Sequence, residues 1–250
     1  MEITGEKPLK FGLVGRNISY SFSKGYFTKK FRQMGLEGYT YENFDLGDIG
    51  SLPRVIAENP RLCGLNVTIP YKEAVIPYLD ALDAEAEGIG AVNTIKIEKG
   101  RLTGYNTDIY GFREAILPFI KQEHSRALVL GTGGASKAVA HVLNGLGIAV
   151  ALVSRSAGKG AFTYGDIDRK ILEEYSILVN ATPLGTFPRV DEKPPLPYAH
   201  LNGGHLLFDL IYNPEKTAFL TAGEARGAQI CNGLRMLELQ AEKAWEIWNS

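Results

Sequence analysis

Residues Leu128 to Arg155 constrain the fold more than any other part of this chain. A short apolar run, Ala127–Leu130, leads into Gly131-Thr132-Gly133-Gly134. Ala135, Val139, Val142, Leu143 and Leu146 then recur at helical spacing, and a second apolar run, Ile148–Val153, ends in Ser154-Arg155-Ser156. Strand, glycine turn, helix and strand in that order form a βαβ unit of the dinucleotide-binding kind. Gly131 permits the tight turn, and Gly133 lets backbone amides approach a pyrophosphate. Gly134 and Ala135 open the helix, whose N-terminus carries partial positive charge. The bland alternative is a tight turn in another α/β protein; Gly134-Ala135-Ser136-Lys137-Ala138 also brushes against a nucleophile elbow but closes on Ala138 instead of glycine.

The tip of the second strand selects the cofactor. An acidic residue there would accept hydrogen bonds from the ribose hydroxyls of NAD. This chain has Ser154, Arg155 and Ser156, with Lys159 close behind. Two cations and no carboxylate suit a 2′-phosphate, so NADP(H) is the expected cofactor.

The full 250-residue sequence bounds the class. Its 45% hydrophobic content supports a packed core, and its net charge of −1 offers no basic footprint for nucleic acid. There is no apolar run long enough to span a membrane and no leader-like N-terminus, because Met1–Lys10 is mostly polar. Cys63 and Cys231 fit reduced, buried thiols in a cytoplasmic protein. His124, His141, His200 and His205 have no metal-ligand spacing, so no metal is expected.

Before the βαβ unit, strands are expected at Leu9–Val14, Tyr39–Phe44 and Gly64–Ile69, and helices at Ser23–Gln33, Ile49–Glu58 and Ala74–Leu82. Lys99-Gly100 marks a hairpin between Val92–Ile97 and Arg101–Leu102. After it, strands are expected at Ile177–Asn180, Leu206–Asp209 and Ala228–Cys231, and Pro183–Pro197 reads as an extended or mobile loop. The final helix, Leu234–Trp248, aligns Leu234, Leu237, Ala241, Ala244, Trp245 and Trp248. The reading is an α/β protein of two domains. A discontinuous α/β substrate domain, 1–107 plus 234–250, accompanies a Rossmann-type NADP-binding domain, 108–233, with the active-site cleft between them.

Three polar clusters punctuate the first half. In Ser19-Tyr20-Ser21-Phe22-Ser23, an extended backbone would point Ser21 and Ser23 into one site; Ser23 also reads as a helix cap. In Asn66-Val67-Thr68-Ile69-Pro70-Tyr71-Lys72, Asn66 and Thr68 share a strand face, and Lys72 follows a redirecting proline, an acid/base candidate if it borders a cleft. The third pairs Gly90-Ala91-Val92-Asn93-Thr94 with Gly104-Tyr105-Asn106-Thr107-Asp108, where Asp108 reads as the cap of a helix Ile109–Leu117.

Taken together, these motifs resemble the shikimate dehydrogenase family from end to end. The match comprises Ser21-x-Ser23, Asn66-Val67-Thr68-x-Pro70-x-Lys72, Gly90-Ala91-Val92-Asn93-Thr94, Asn106-Thr107-Asp108, the glycine loop through Ala138, Asn180-Ala181-Thr182, and Gly233-x-x-Met236-Leu237-x-x-Gln240-Ala241. The resemblance implies reversible NADPH-dependent reduction of 3-dehydroshikimate to shikimate in aromatic amino-acid biosynthesis. It makes Lys72 and Asp108 the catalytic pair. It assigns Ser21, Ser23, Asn66, Thr68, Asn93, Tyr212 and Gln240 to the substrate. Arg155 and Lys159 would hold the 2′-phosphate, Thr182 and Leu210 would lie near the nicotinamide, and Gly233 would belong to the cofactor side. The expected partners are the small-molecule substrate and NADP(H), without nucleic acid or membrane, in a monomer or homodimer. The chain departs from the pattern at Phe22 and Lys24, where the family has Lys and Pro, at Ser154-Arg155-Ser156 in place of Asn-Arg-Thr, and in a short 155–180 segment. Two rivals stay open: a quinate/shikimate dehydrogenase using NAD, disfavoured by Arg155, and a catalytically silent metabolite-sensing homologue, disfavoured by the presence of Lys72 and Asp108.

Overall fold

The computed structural model describes residues 9–19 and 21–250. Tyr20 and most of the polar stretch Met1–Lys10 lie outside the described residues. The chain packs as two compact units, one running to Thr107 and including Ala241–Ser250, the other Asp108–Gln240.

In the first unit the chain runs β1 (Lys10–Gly15), α1 (Phe22–Gln33), β2 (Thr40–Asp45), α2 (Leu52–Glu58), β3 (Leu62–Val67), β4 (Ala81–Leu82), α3 (Ala84–Ile89), β5 (Thr94–Glu98) and β6 (Arg101–Tyr105). These strands form one mixed sheet, ordered β2-β1-β3-β5-β6-β4. β1 pairs in parallel with β2 and β3, whereas β5 runs antiparallel to β3 and β6. The β5–β6 hairpin turns on Lys99 and Gly100, both at positive φ, which matches the right-handed strand twist.

Two local readings need correction here. The expected helix Ala74–Leu82 is instead a 3₁₀ turn, Ile76–Tyr78, followed by β4. Pro77 explains this, since a proline inside a helix removes a donor and its ring collides with the carbonyl four residues back. The expected caps also move. Ser21, not Ser23, caps α1, its Oγ accepting from the Lys24 amide at 3.4 Å. The segment is therefore helical from Phe22 onward, not extended, and Ser23 sits in the first turn.

The second unit begins with α4 (Thr107–Ile116), which opens at the unit boundary, and continues through β7 (Arg126–Leu130), α5 (Gly134–Gly145), β8 (Ala149–Ser154), β9 (Phe162–Thr163), α6 (Arg169–Glu174), β10 (Ile177–Asn180), β11 (Leu206–Asp209), α7 (Ala218–Glu224), β12 (Gln229–Cys231) and α8 (Leu234–Asn249). All six strands are parallel, ordered β12-β11-β10-β7-β8-β9. The strand order reverses between β7 and β10, and in such sheets ligands bind beyond the carboxyl ends at that reversal. α6 has only six residues, in keeping with the short 155–180 segment. Helix α8 is divided between the units, where the sequence reading places all of it in the first. Within the first unit its end buries Ala241, Ala244 and Trp248 against Phe11, Phe27 and Phe31. Leu234, expected on the apolar face, is 38% exposed.

Candidate functional site

In the first unit two of the expected substrate residues, Asn66 and Asn93, belong to one hydrogen-bonded polar seam. Asn66 stands on β3 opposite Leu13 of β1, and its Oδ1 accepts from the Tyr41 hydroxyl at 2.8 Å. Its amide donates to Thr94 Oγ1 at 3.2 Å and to the Asn93 carbonyl at 3.4 Å. Asn93 is buried, and its Oδ1 accepts from the Thr107 amide at 2.7 Å and the Thr107 hydroxyl at 3.1 Å. Thr68 follows β3, its amide donating to the Val14 carbonyl at 2.9 Å. Beyond the cis Ile69–Pro70 bond, Lys72 is half-buried and anchored through its carbonyl, which accepts from the Val92 amide at 2.7 Å. Asn93 and Lys72 are thereby fixed by the same turn, Ala91–Asn93.

Asp108 is 3% exposed and lies in the first turn of α4, not at its cap. A carboxylate there is favoured by the positive end of the helix dipole.

In the second unit, Gly131 adopts φ +114°, which other residues rarely take, and its amide donates to the Val153 carbonyl at 2.9 Å. A Cβ on it would also press on the Ala181 carbonyl at 3.1 Å, so the β7 and β10 ends meet tightly there. Gly133 caps α5 with no side chain bonding the first turn, and a Cβ on it would face open space. Gly134 and Ala135 follow as the first residues of the helix. Ser154 is buried and accepts from the Ser156 amide at 3.2 Å, forming a tip from which Arg155 and Lys159 stand exposed.

The carboxyl ends of β10 and β11 carry a second polar knot, which the sequence reading missed. Asp209 is fully buried. Its Oδ1 accepts from Asn180 Nδ2 and from the Ile211 amide, both at 3.0 Å, and its Oδ2 from the Thr217 hydroxyl at 2.6 Å. Asn180 Oδ1 in turn accepts from the Thr182 hydroxyl at 2.7 Å. Desolvation pushes the Asp209 carboxyl up to about 6, against the lowering effect of its three donors. Leu210 is held by its amide donating to the Asn180 carbonyl at 3.0 Å. Gly233 passes so close to Leu210 that a Cβ would lie 2.1 Å from the Leu210 carbonyl oxygen, so its glycine character serves chain packing here. Tyr212 and Gln240 are half-buried, and burial raises the Tyr212 phenol. Strand residues such as Tyr41 and Asp209 carry no local motif; only their partners reveal them.

Comparison with known proteins now decides the family. Residues 13–95 match the family described as shikimate dehydrogenase substrate binding domain. A shikimate dehydrogenase (NADP(+)) of Clostridium beijerinckii is 42% identical over 248 residues, covering 95% of this chain and 91% of that one. The chain belongs to the NADP(+)-dependent shikimate dehydrogenase family. The crystal structure of the Thermus thermophilus family member in complex with NADP(H) and shikimate superposes with a TM-score of 0.85 at 34% identity, over 96% of this chain and 93% of that one. A further shikimate dehydrogenase in complex with NADP+ gives 0.86 at 34% identity, over 96% and 90%.

The glycine loop of this family member fits the cofactor. Ser136, in the first turn of α5, is 1% exposed, and its Oγ has no hydrogen-bond partner among the described residues. An orphaned hydroxyl, an uncapped helix start and open space above Gly133 together suit an anionic pyrophosphate. Among the described residues, no cluster of His, Cys, Asp and Glu is placed to hold a metal ion, and no helix is long and apolar enough to cross a membrane.

Proposed function

We propose that Lys72 and Asp108 form the acid–base pair of this chain's activity, the NADP(H)-linked interconversion of 3-dehydroshikimate and shikimate. NADPH supplies the hydride when bound. Reduction of the ketone then leaves negative charge on oxygen. The Lys72 ammonium stabilises that oxygen and gives it a proton. Asp108, buried at the start of α4, favours the charged ammonium and orients it. In the reverse direction Lys72 takes the proton from the hydroxyl.

Ser21, Ser23, Asn66, Thr68, Asn93, Tyr212 and Gln240 are the groups proposed to hold the substrate's carboxylate and hydroxyls. Such a set rejects analogues lacking a hydroxyl, because buried polar groups would be left unpaired. Gly131, Gly133, Gly134 and Ala135 would cradle the pyrophosphate, with Ser154, Arg155, Ser156 and Lys159 at the 2′-phosphate, Thr182 and Leu210 toward the nicotinamide, and Gly233 on the cofactor side. Division of the molecule into a substrate domain and a cofactor domain follows from the same assignment. Both cysteines are free thiols, which suits a cytoplasmic enzyme.

Full-length kinship carries this reading: 42% identity across 95% of the chain. The test is purified protein with shikimate or quinate, crossed with NADP or NAD, followed by absorbance of the reduced nicotinamide. Shikimate with NADP is expected to be the best pair. Preference for quinate or NAD would move the chain to the quinate/shikimate branch, and silence with all four would favour a sensing role.

A further inference from the structure

Tyr41 belongs to β2, two strands away from Asn66 on β3, with β1 between them. Register sets Phe11 beside Tyr41 and Leu13 beside Asn66, so all four side chains share one face. The tyrosine lies over β1 and bonds Asn66 Oδ1 at 2.8 Å. Its ring is 3% exposed and stacks on Phe27 of α1, centroids 4.8 Å apart and planes 10° from parallel. A single buried phenol thus ties β2 to β3 across β1, through residues 25 positions apart in sequence.

We infer that Tyr41 is a positioning residue for the substrate: its hydroxyl fixes the amide orientation of Asn66, so that Asn66 meets the substrate in one arrangement. The inference rests on the proposed role of Asn66. Tyr41 as donor to Oδ1 turns the NH₂ of Asn66 toward Thr94 and the Asn93 carbonyl. Without the hydroxyl, Asn66 can flip, and its buried acceptor loses its partner. Burial keeps the phenol protonated across the working pH range, so the donor is constant.

The test is steady-state kinetics on Tyr41→Phe, which removes one oxygen and keeps the stacked ring. The Michaelis constant for shikimate is expected to rise roughly 10-fold, the usual cost of an unpaired buried acceptor. That for NADP should stay within about twofold of wild type. A merely structural role would lower the melting temperature while leaving the shikimate constant in place, and that result overturns the inference. In Tyr41→Phe combined with Asn66→Ala, the shikimate constant should be no worse than in Asn66→Ala alone; independent, multiplying losses also overturn it. Where Tyr41→Phe does not fold, para-aminophenylalanine at position 41 is the second variant. Its N–H donor should hold the shikimate constant near wild type, and a loss equal to that of the unpaired Asn66→Ala protein would count against the inference. Wild-type protein inactive on shikimate would instead sink the functional reading itself, a different outcome from an active enzyme indifferent to Tyr41.

Discussion

The two sheets solve different problems. In the parallel sheet the proposed binding surface is made of backbone, concentrated in one stretch of chain: a turn at Gly131, a bare helix start at Gly133, and a polar tip at Ser154. In the mixed sheet the proposed surface is made of side chains tied to one another by hydrogen bonds across β2, β3, β5 and the start of α4. A dinucleotide offers phosphates that any aligned row of amides can hold. A small polyhydroxylated acid must be recognised group by group. Backbone sites are therefore local in sequence, and side-chain sites are not.

The comparison breaks most sharply at Lys72. Lys72→Ala should lower turnover by about two to four orders of magnitude, the usual contribution of a positioned acid/base group, with shikimate affinity changed far less. Near-normal turnover in the folded variant would remove Lys72 from the chemistry.

A structural counterpart is Trp248. It stacks on Phe11 at 4.9 Å, donates to the Ile95 carbonyl at 3.0 Å and fills the space left by Gly64. Trp248→Ala should cost the first unit about 3–5 kcal/mol in denaturant titrations and leave NADP binding comparatively intact. If NADP binding were lost in parallel, the two units would not be energetically separable.

The second unit has its own pH signature. The Asp209 carboxyl is raised to about 6 in the folded chain, above its unfolded value near 3.8. Between those values the folded state holds a proton that the unfolded state has released. The associated stability is complete below about pH 4 and is lost as pH rises past 6. Relative to Asp209→Asn, wild-type stability should fall by ~3 kcal/mol from pH 4 to pH 7.5. Parallel profiles for the two proteins would show that Asp209 does not titrate in this range.

The smallest expected effect is at the exposed Arg155. Arg155→Asp should weaken NADP by about 1.5–3 kcal/mol, a factor of roughly 10 to 150, and leave NAD unaffected or improved. A wild type that already prefers NAD would show that the tip of β8 was misread.

What could be read beforehand follows the same division. β10 and β11 fall at Ile177–Asn180 and Leu206–Asp209, as their fully buried apolar runs announce. The hairpin at Lys99-Gly100 and the helix after the glycine loop are equally plain. Where apolar spacing was ambiguous, local chemistry overruled it. Pro77 ended a helix expected over 74–82, while Asp83 and Gly90 bounded the short α3 that went unread. Ser23 read as the cap of the first helix, but the Lys24 amide bonds Ser21 instead.

By itself, then, the sequence determined the α/β class, the dinucleotide loop and the family, because each is carried by residues whose spacing along the chain is the signal. Tertiary structure decided that Tyr41 meets Asn66, that Asp209 ties Asn180 to Thr217, and that Gly233 is there for the Leu210 carbonyl. Those pairings bring together residues from different strands and helices. Which of them meet depends on strand order and register, and neither is written in any one segment.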